Sequence, residues 1–582
     1  MVHLIGSDHL KQVIRKYSLL NAVAHDGKAE EGAVVSKVLG ERVELRARAK
    51  ELVKLVSEIV QETNRLTLDE QKKLLSEYCP QPESKKTEKP KVLPPLINAD
   101  RYREIVTRFS PNPDCALHLG SARAIILSHD YARMYNGKFF LRFEDTDPRL
   151  KKSALEFYEM IREDLSWLGC KWDGEFTQSD RMTIYYEQAK TLIEVGGAYV
   201  CICDPEAFKT GLLAMKPCGC RDLPVEEHLD RWNMMLDGTY AEGEAVVRVK
   251  TELSHPNPAV RDWPALRIID TEKNPHPRVG SKYRVWPLYN FSTGVDDHLM
   301  GITHIIRGKE HLTNMMRQLY LYRHLSWEYP ETIHYGRLKI EGTTLSKSRI
   351  LKMLSEGLVR SLDDPRLATL AALRRRGITP EALRSIVIEV GPRPVDATLA
   401  WENIYATNRK IIDPIANRYF FIHEPVELLV EGVDEPHYSK PPLNPNDHSR
   451  GCRRLEVKPE KGTARLLIAR RDLEIVRRGF VRLMELFNVE YKGSDGERVL
   501  ATFQSKDYPE ARRLGAPLIH WLPSKGNIEV EVMMPDGTTI SGLGEPMLAD
   551  EKPDRVVQLV RFGFGRIEET SKDRVNVCYA HS

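Results

Sequence analysis

A histidine and a glycine meet a helix start within RFSPNPDCALHLGSARAI, residues 108–125. Pro111 and Pro113 forbid a helix at first. Leu117, Leu119, Ala122, Ile125 and Ile126 then predict one that begins near His118. A helix N-terminus points unpaired N–H groups and a positive dipole end outward, so it suits an anion. Gly120 lets a ligand come close to the backbone, and His118 can donate a hydrogen bond to a phosphate oxygen. Such a donor helps most where charge builds in a transition state. A second stretch, TTLSKSR at 343–349, sets Lys347 between Ser346 and Ser348 in a loop-like segment. One ammonium among hydroxyls suits the β- and γ-phosphates of ATP. Taken alone, each stretch also reads as a packed histidine or a solvated loop. A third feature is two C-x-C pairs, Cys201 with Cys203 and Cys218 with Cys220. Two close pairs across a short loop can surround Zn²⁺ with four thiolates.

The elements that must position these groups follow from periodicity. Residues 1–80 read as an appended helical module. Leu52, Val53, Val56, Ile59 and Val60 recur at helical spacing, and Thr67 with Glu70 fits a capping box. Residues 81–99, rich in Pro and Lys, read as a linker. From 100 to 198 strand-like YREIVTRF and GKFFLRFED alternate with helical SARAIILSHDYARMY, SALEFYEMIREDLSWLG and MTIYYEQAKTLIEVG. That alternation predicts an α/β class with a parallel sheet. The cysteine-bearing stretch 199–282 interrupts it, and YRVWPLYNFS with GITHIIRGKE resumes it over 283–350. Residues 351–412 are helical and basic. Over 413–582, runs such as RYFFI, VELLV and IEVEVMM stand between Pro, Gly and Asp clusters, which predicts a β-barrel or sandwich.

Composition narrows the classes. Lys plus Arg is 86 and Asp plus Glu is 83, so the chain as a whole gives no signal for nucleic acid and any basic surface is local. Nine cysteines, an odd count in 582 residues, do not make a secreted disulfide framework. No apolar run reaches about 18 residues, so no membrane span is expected. A cytoplasmic location is the default expectation.

HLGS at 118–121 and TLSKS at 344–348 together resemble the HIGH and KMSKS signatures of the class I aminoacyl-tRNA synthetases. RFSPNP (108–113), LRFEDTDP (141–148) and YNFSTGVDDHLMGITHIIRGKEH (289–311) are similar to the glutamyl and glutaminyl enzymes. With its β-rich tail, the chain resembles the glutamyl-tRNA synthetases of archaeal and eukaryotic type. The resemblance implies a Rossmann catalytic core in two halves, 100–198 and 283–350. An inserted acceptor-stem domain would occupy 199–282, where some glutamyl enzymes bind zinc. It implies a helical stem-contact region at 351–412 and β-barrel anticodon-binding domains at 413–582.

The same resemblance implies site residues. Arg108 and Arg307 would hold the carboxylates of L-glutamate, Ser110 and Asn112 would line its pocket, and Tyr289 would close it. Glu144 would hold the α-ammonium. His118, Gly120, Ser121, Ser346 and Lys347 would bind ATP, with His118, Ser121, Lys347 and Mg²⁺ stabilising charge on the phosphates. Ser121 stands where HIGH ends in histidine, and Thr344 replaces the first lysine of KMSKS. The glutaminyl branch, the alternative reading, lacks an arginine at position 307. Bound glutamine would strand that guanidinium at a cost of ~3–5 kcal/mol, roughly 10²–10³-fold in discrimination. The implied activity is a glutamate–tRNA ligase acting through glutamyl-adenylate, with the tRNA for Glu as partner and the tRNA for Gln open as a second. The 366–385 segment, with its RRR at 374–376, and TNRK at 407–410 would contact tRNA. The N-terminal module would meet a protein partner or tRNA.

Overall fold

Thr67 and Glu70 form the capping box that their spacing predicts. The Glu70 carboxylate accepts from the Thr67 N–H at 2.8 Å, and the Glu70 N–H donates to Thr67 Oγ1 at 3.4 Å. The computed structural model describes residues 8–25, 27–41, 45, 49–78, 92–343 and 346–582. Cys79, linker residues 81–91, and Thr344 with Leu345 lie outside the described residues. The chain divides into two units, residues 1–91 and 92–582. The first holds α1 (Asp8–Ala24), α2 (Glu31–Glu41), α3 (Ala49–Asn64) and α4 (Leu68–Tyr78). Leu52, Val56, Ile59 and Val60 of α3 pack with Ile14, Val34 and Val38, while Val53 faces outward.

The second unit begins with a parallel layer. The strands β1 (Val106–Phe109), β2 (Lys138–Phe143) and β3 (Gly174–Thr177) pair in that order, all parallel. Helix α5 (Leu119–Met134) crosses from β1 to β2, and α6 (Leu155–Trp167) from β2 to β3. Ile125, Ile126, Leu141, Phe143, Ile161 and Leu165 fill the core between them. After α7 (Met182–Glu194), an antiparallel sheet follows: β4 (Ala198–Cys201), β5 (Val246–Val249), β6 (Pro264–Ile268) and β7 (Val285–Pro287). Between β4 and β5 lie α8 (Pro205–Leu213) and α9 (Val225–Asp237). This sheet runs past residue 282 to Pro287. The strand in YRVWPLYNFS therefore belongs to it and not to the parallel layer, because Trp286 pairs with Arg267 and is buried in the core of the insertion.

The chain returns through α10 (Tyr289–Leu299), β8 (His304–Gly308), α11 (Leu312–His324) and β9 (Glu331–Tyr335). β8 and β9 are parallel. The Thr303 N–H donates to Val106 O at 2.9 Å, which sets β8 beside β1. The layer therefore runs β3-β2-β1-β8-β9, the doubly wound order whose crevice lies where the winding reverses, between β1 and β8. Then come β10 (Leu338–Ile340), α12 (Lys347–Ser355), α13 (Leu370–Arg375), α14 (Pro380–Val390) and α15 (Trp401–Ile412).

Two seven-stranded sheets make the tail, each with its own core. The period of two explains how one segment serves both. Phe420 enters the first core, while Tyr419 and Phe421 enter the second. Among the described residues, no helix is long and apolar enough to cross a membrane. Close backbone approach demands glycine at 336, where a Cβ would stand 2.1 Å from Val395 O. Gly336→Ala is expected to cost about 1–3 kcal/mol, measured as a fall of several degrees in the midpoint of thermal unfolding.

Candidate active site

The turn after β1 gathers one wall of the site. Arg108, near the end of β1, is buried and donates through Nε and Nη2 to the two carboxylate oxygens of Asp297 at 3.0 and 3.2 Å. Asp297, on α10, also accepts from Arg142 Nη1 at 2.9 Å. Burial pushes the Asp297 carboxyl up, but Arg108 and Arg142 outweigh it and hold the group below the usual range. Arg142 reaches on to Glu144 Oε1 at 3.1 Å, which also accepts from Thr293 Oγ1 at 3.0 Å. Burial raises the Glu144 carboxyl, with Arg142 opposing. The neighbouring Asp296 accepts from Arg181 Nε at 2.9 Å, Gln178 Nε2 at 3.0 Å and the Tyr185 hydroxyl at 2.7 Å. Three arginines thus face three carboxylates.

Arg307, on β8, is buried differently. Nη1 donates to Gln318 Oε1 at 3.2 Å and Nη2 to the Tyr329 hydroxyl at 2.9 Å. Its Nε has no partner, and it forms no ion pair with any described carboxylate. Burial, reinforced by the Arg307 charge, pushes His311 and His334 down to about 4, so both are neutral at pH 7. Tyr289 sets its hydroxyl 3.2 Å from His311 Nδ1, and burial pushes that phenol up to about 12. Ser110 Oγ, Asn112 Oδ1 and Asn290 Oδ1 are buried without partners. This part of the site therefore combines one uncompensated cation with several unsatisfied polar atoms, a set that a polar anion would suit.

His118 is the N-cap of α5 in extended conformation. Its Nδ1 is buried and unpartnered, and burial lowers its pKa, so a neutral imidazole faces any ligand. The Ser121 hydroxyl accepts from the His118 N–H at 3.5 Å. A cavity of about 430 Å³ is lined by His118, Gly120, Tyr335, Arg337, Lys339 and Ser346 among others. It brings both signature stretches to one space. Lys347 opens α12, and its ammonium pairs with the Asp114 carboxylate.

The four cysteines of the insertion converge. Their Sγ atoms all lie within 4.8 Å of one another, with 201–218 at 3.9 Å and 203–220 at 3.6 Å. Tetrahedral Zn–S bonds of ~2.3 Å require sulfur separations of about 3.8 Å. The donor set fits zinc.

Within the RRR stretch, Arg376 is a correction. Arg376 is buried: it donates to the Tyr405 hydroxyl at 2.7 Å and Ala580 O at 3.0 Å, and lies over the Trp401 ring. Arg375 pairs with Glu568. Both pin the helices to the tail, so Arg376 has no surface to offer RNA. Arg374 pairs with Glu163 at 3.5 Å. The sequence reading also missed Arg142, Thr293, Asp297, Gln318 and Tyr329. The adjacent Asp296 and Asp297 within an otherwise buried helix were a readable signal of buried cations. Nothing in the local pattern marked Gln318 or Tyr329. Asp297→Asn leaves Arg108 and Arg142 short of one anion, at a cost on the order of 3–5 kcal/mol. A thermal midpoint lowered by about 10 °C is expected, and a shift below 2 °C would contradict this account.

Three family models match. The catalytic domain of the class I tRNA synthetases (E and Q) covers residues 104–414, and anti-codon binding domains of the same group cover 416–504 and 518–568. The glutamate–tRNA ligase of Pyrococcus furiosus is 50% identical over 580 residues, 98% of this chain and 100% of that protein. That of Thermococcus kodakarensis is 51% identical over 581 residues, 99% and 100% of the two chains. A crystal structure of a glutamate tRNA ligase from Elizabethkingia meningosepticum is 20% identical, with a TM-score of 0.38 over 54% of this chain and 71% of that one. With the catalytic model spanning more than half its length and curated relatives about 50% identical from end to end, the chain belongs to the class I tRNA synthetases for glutamate and glutamine.

Proposed function

We infer that the chain is a glutamate–tRNA ligase: it activates L-glutamate with ATP to glutamyl-adenylate and pyrophosphate, then passes the glutamyl group to the 3′ end of tRNA. The observation that carries this is Arg307, a buried guanidinium with neutral partners only among the described residues. A ligand carboxylate completes it, whereas the amide of glutamine leaves it uncompensated. Arg108 is already paired with Asp297 and serves as an oriented fork. Ser110 and Asn112 offer unsatisfied polar atoms to the same ligand, and Tyr289 closes over it. Glu144 takes the α-ammonium, since Arg142 and Thr293 engage only its Oε1.

For the phosphates, His118 donates from the start of α5, where Gly120 leaves the backbone open to a ligand and the positive end of the helix dipole favours an anion. Lys347 must leave Asp114 to reach them. Its side chain is partly exposed while Asp114 is nearly buried, so binding of the nucleotide exchanges one anionic partner for another. Ser346 flanks the same cavity. Mg²⁺ enters with ATP and offsets charge on the phosphates. No side-chain nucleophile is required, because positioning and charge stabilisation carry the reaction.

Cys201, Cys203, Cys218 and Cys220 hold a structural Zn²⁺ that secures the insertion. The tRNA for Glu is the acceptor, and the tRNA for Gln is a second candidate. The N-terminal unit meets a protein partner or tRNA, and the enzyme works in the cytoplasm.

Purified protein given labelled glutamate or glutamine with transcripts of both tRNAs is expected to attach glutamate to the tRNA for Glu. Attachment of glutamine instead would sink the reading of Arg307. Lys347→Ala is expected to slow adenylate formation by roughly 10²–10³-fold, and a parental rate would remove the loop from the chemistry. Elemental analysis is expected to find one zinc per chain, lost in the Cys203→Ser, Cys220→Ser double variant together with thermal stability of the insertion. A metal-free parental protein of equal stability would rule the zinc site out.

A further inference from the structure

Two arginines face the amino-acid pocket, and they are held in opposite ways. Arg108 is clamped by Asp297 through two charge-assisted hydrogen bonds, so its charge is cancelled before a ligand arrives. Arg307 is also held by two hydrogen bonds, but to an amide and a phenol. Gln318 lies fully buried on α11. Its Nε2 donates to Asn290 O at 3.4 Å, and its Oε1 accepts from the Tyr329 hydroxyl at 2.8 Å. Those two bonds fix which end of the amide meets Arg307. The Tyr329 hydroxyl accepts from Arg307 and donates to Gln318, closing a three-membered ring of hydrogen bonds.

Every member of that ring except Arg307 is uncharged. The histidines beside it, His311 and His334, are neutral at pH 7. Glutamate and glutamine differ by little more than charge at one end of the side chain. Shape cannot separate them strongly, because a pocket that fits one fits the other. Discrimination has to come from a buried charge that only one of them satisfies.

We propose that Gln318 and Tyr329 are specificity-determining positioning residues: they orient Arg307 with neutral acceptors, so that its charge is reserved for the substrate's side-chain carboxylate. Neither touches the reacting atoms. This rests on the glutamate–tRNA ligase reading above. It explains why an amide occupies a fully buried position beside a guanidinium, where a carboxylate would give the more stable empty protein. An internal carboxylate there would compete with the substrate for Arg307.

The test is aminoacylation kinetics with glutamate and glutamine for the full chain and two variants, Gln318→Glu and Gln318→Met, with folding checked by thermal unfolding. Gln318→Glu keeps the shape and cancels the charge. It is expected to raise KM for glutamate by about 10²-fold, with a smaller change in kcat, and to shrink the glutamate-to-glutamine ratio of kcat/KM at least tenfold. Gln318→Met removes the acceptor and leaves the charge. It is expected to raise KM only severalfold and to keep the ratio within about threefold. A folded Gln318→Glu enzyme with an undiminished ratio overturns the proposal, and so does a Gln318→Met enzyme whose ratio collapses. Should Gln318→Glu not fold, Gln318→Met decides through its KM for glutamate: a severalfold rise at a kept ratio supports the positioning role, and an unchanged KM overturns it. Failure of the parental chain to charge tRNA with glutamate strikes the functional reading instead, so the two failures are distinct.

Discussion

Two adjacent aspartates on one helix organise the catalytic unit. Successive residues of an α-helix point about 100° apart, so Asp296 and Asp297 face different neighbours. Asp297 collects Arg108 and Arg142 from two parallel strands, and Asp296 collects Arg181 from the segment before α7. Burying six charges is expensive, at several kcal/mol per ion before pairing. Hydrophobic residues of like volume would hold the strands together at least as well. What the ion pairs add is direction: Arg108 is fixed in one orientation by both oxygens of Asp297, and Glu144 is anchored through Arg142 at one oxygen only.

That network cancels its own charge, and this gives Arg307 its meaning. Across the pocket the protein leaves one guanidinium without a counter-ion and surrounds it with neutral imidazoles, a phenol and an amide. In a low-dielectric pocket this imbalance is a strong demand for an anion. The side proposed for ATP uses weaker means: a helix N-terminus, a neutral histidine and a lysine parked on Asp114. In the proposed function, rigid recognition of the amino acid would thus stand beside a looser phosphate clamp.

The tail is bolted to the catalytic helices rather than strung behind them. The Leu119 N–H donates to Ala368 O, and the Leu370 N–H to Leu117 O, which ties the histidine-bearing turn to α13. At the far end of α13, Arg375 reaches Glu568, and Arg376 reaches Ala580 O. Hydrogen bonds and ion pairs therefore run without a gap from the His118 turn to the last strand of the chain. Two arginines of the RRR run, Arg375 and Arg376, are engaged inside this joint.

Local features were open to the sequence alone. The capping box of Thr67 and Glu70, the helix start at His118, the two cysteine pairs and the period-two tail each depend on residues close together in the chain. Hydrophobic spacing and turn chemistry are short-range rules, so they read directly. Motif resemblance extended that reading to Arg108, Glu144, Tyr289 and Arg307. Tertiary structure alone decided which of the two arginines is neutralised. The ion pair of Arg108 joins positions 108 and 297, and the neutral cradle of Arg307 draws on 318 and 329. It likewise decided that Arg376 is buried and that Trp286 belongs to the insertion. Charge compensation and burial depend on neighbours brought together by folding, and no periodicity along the chain encodes them.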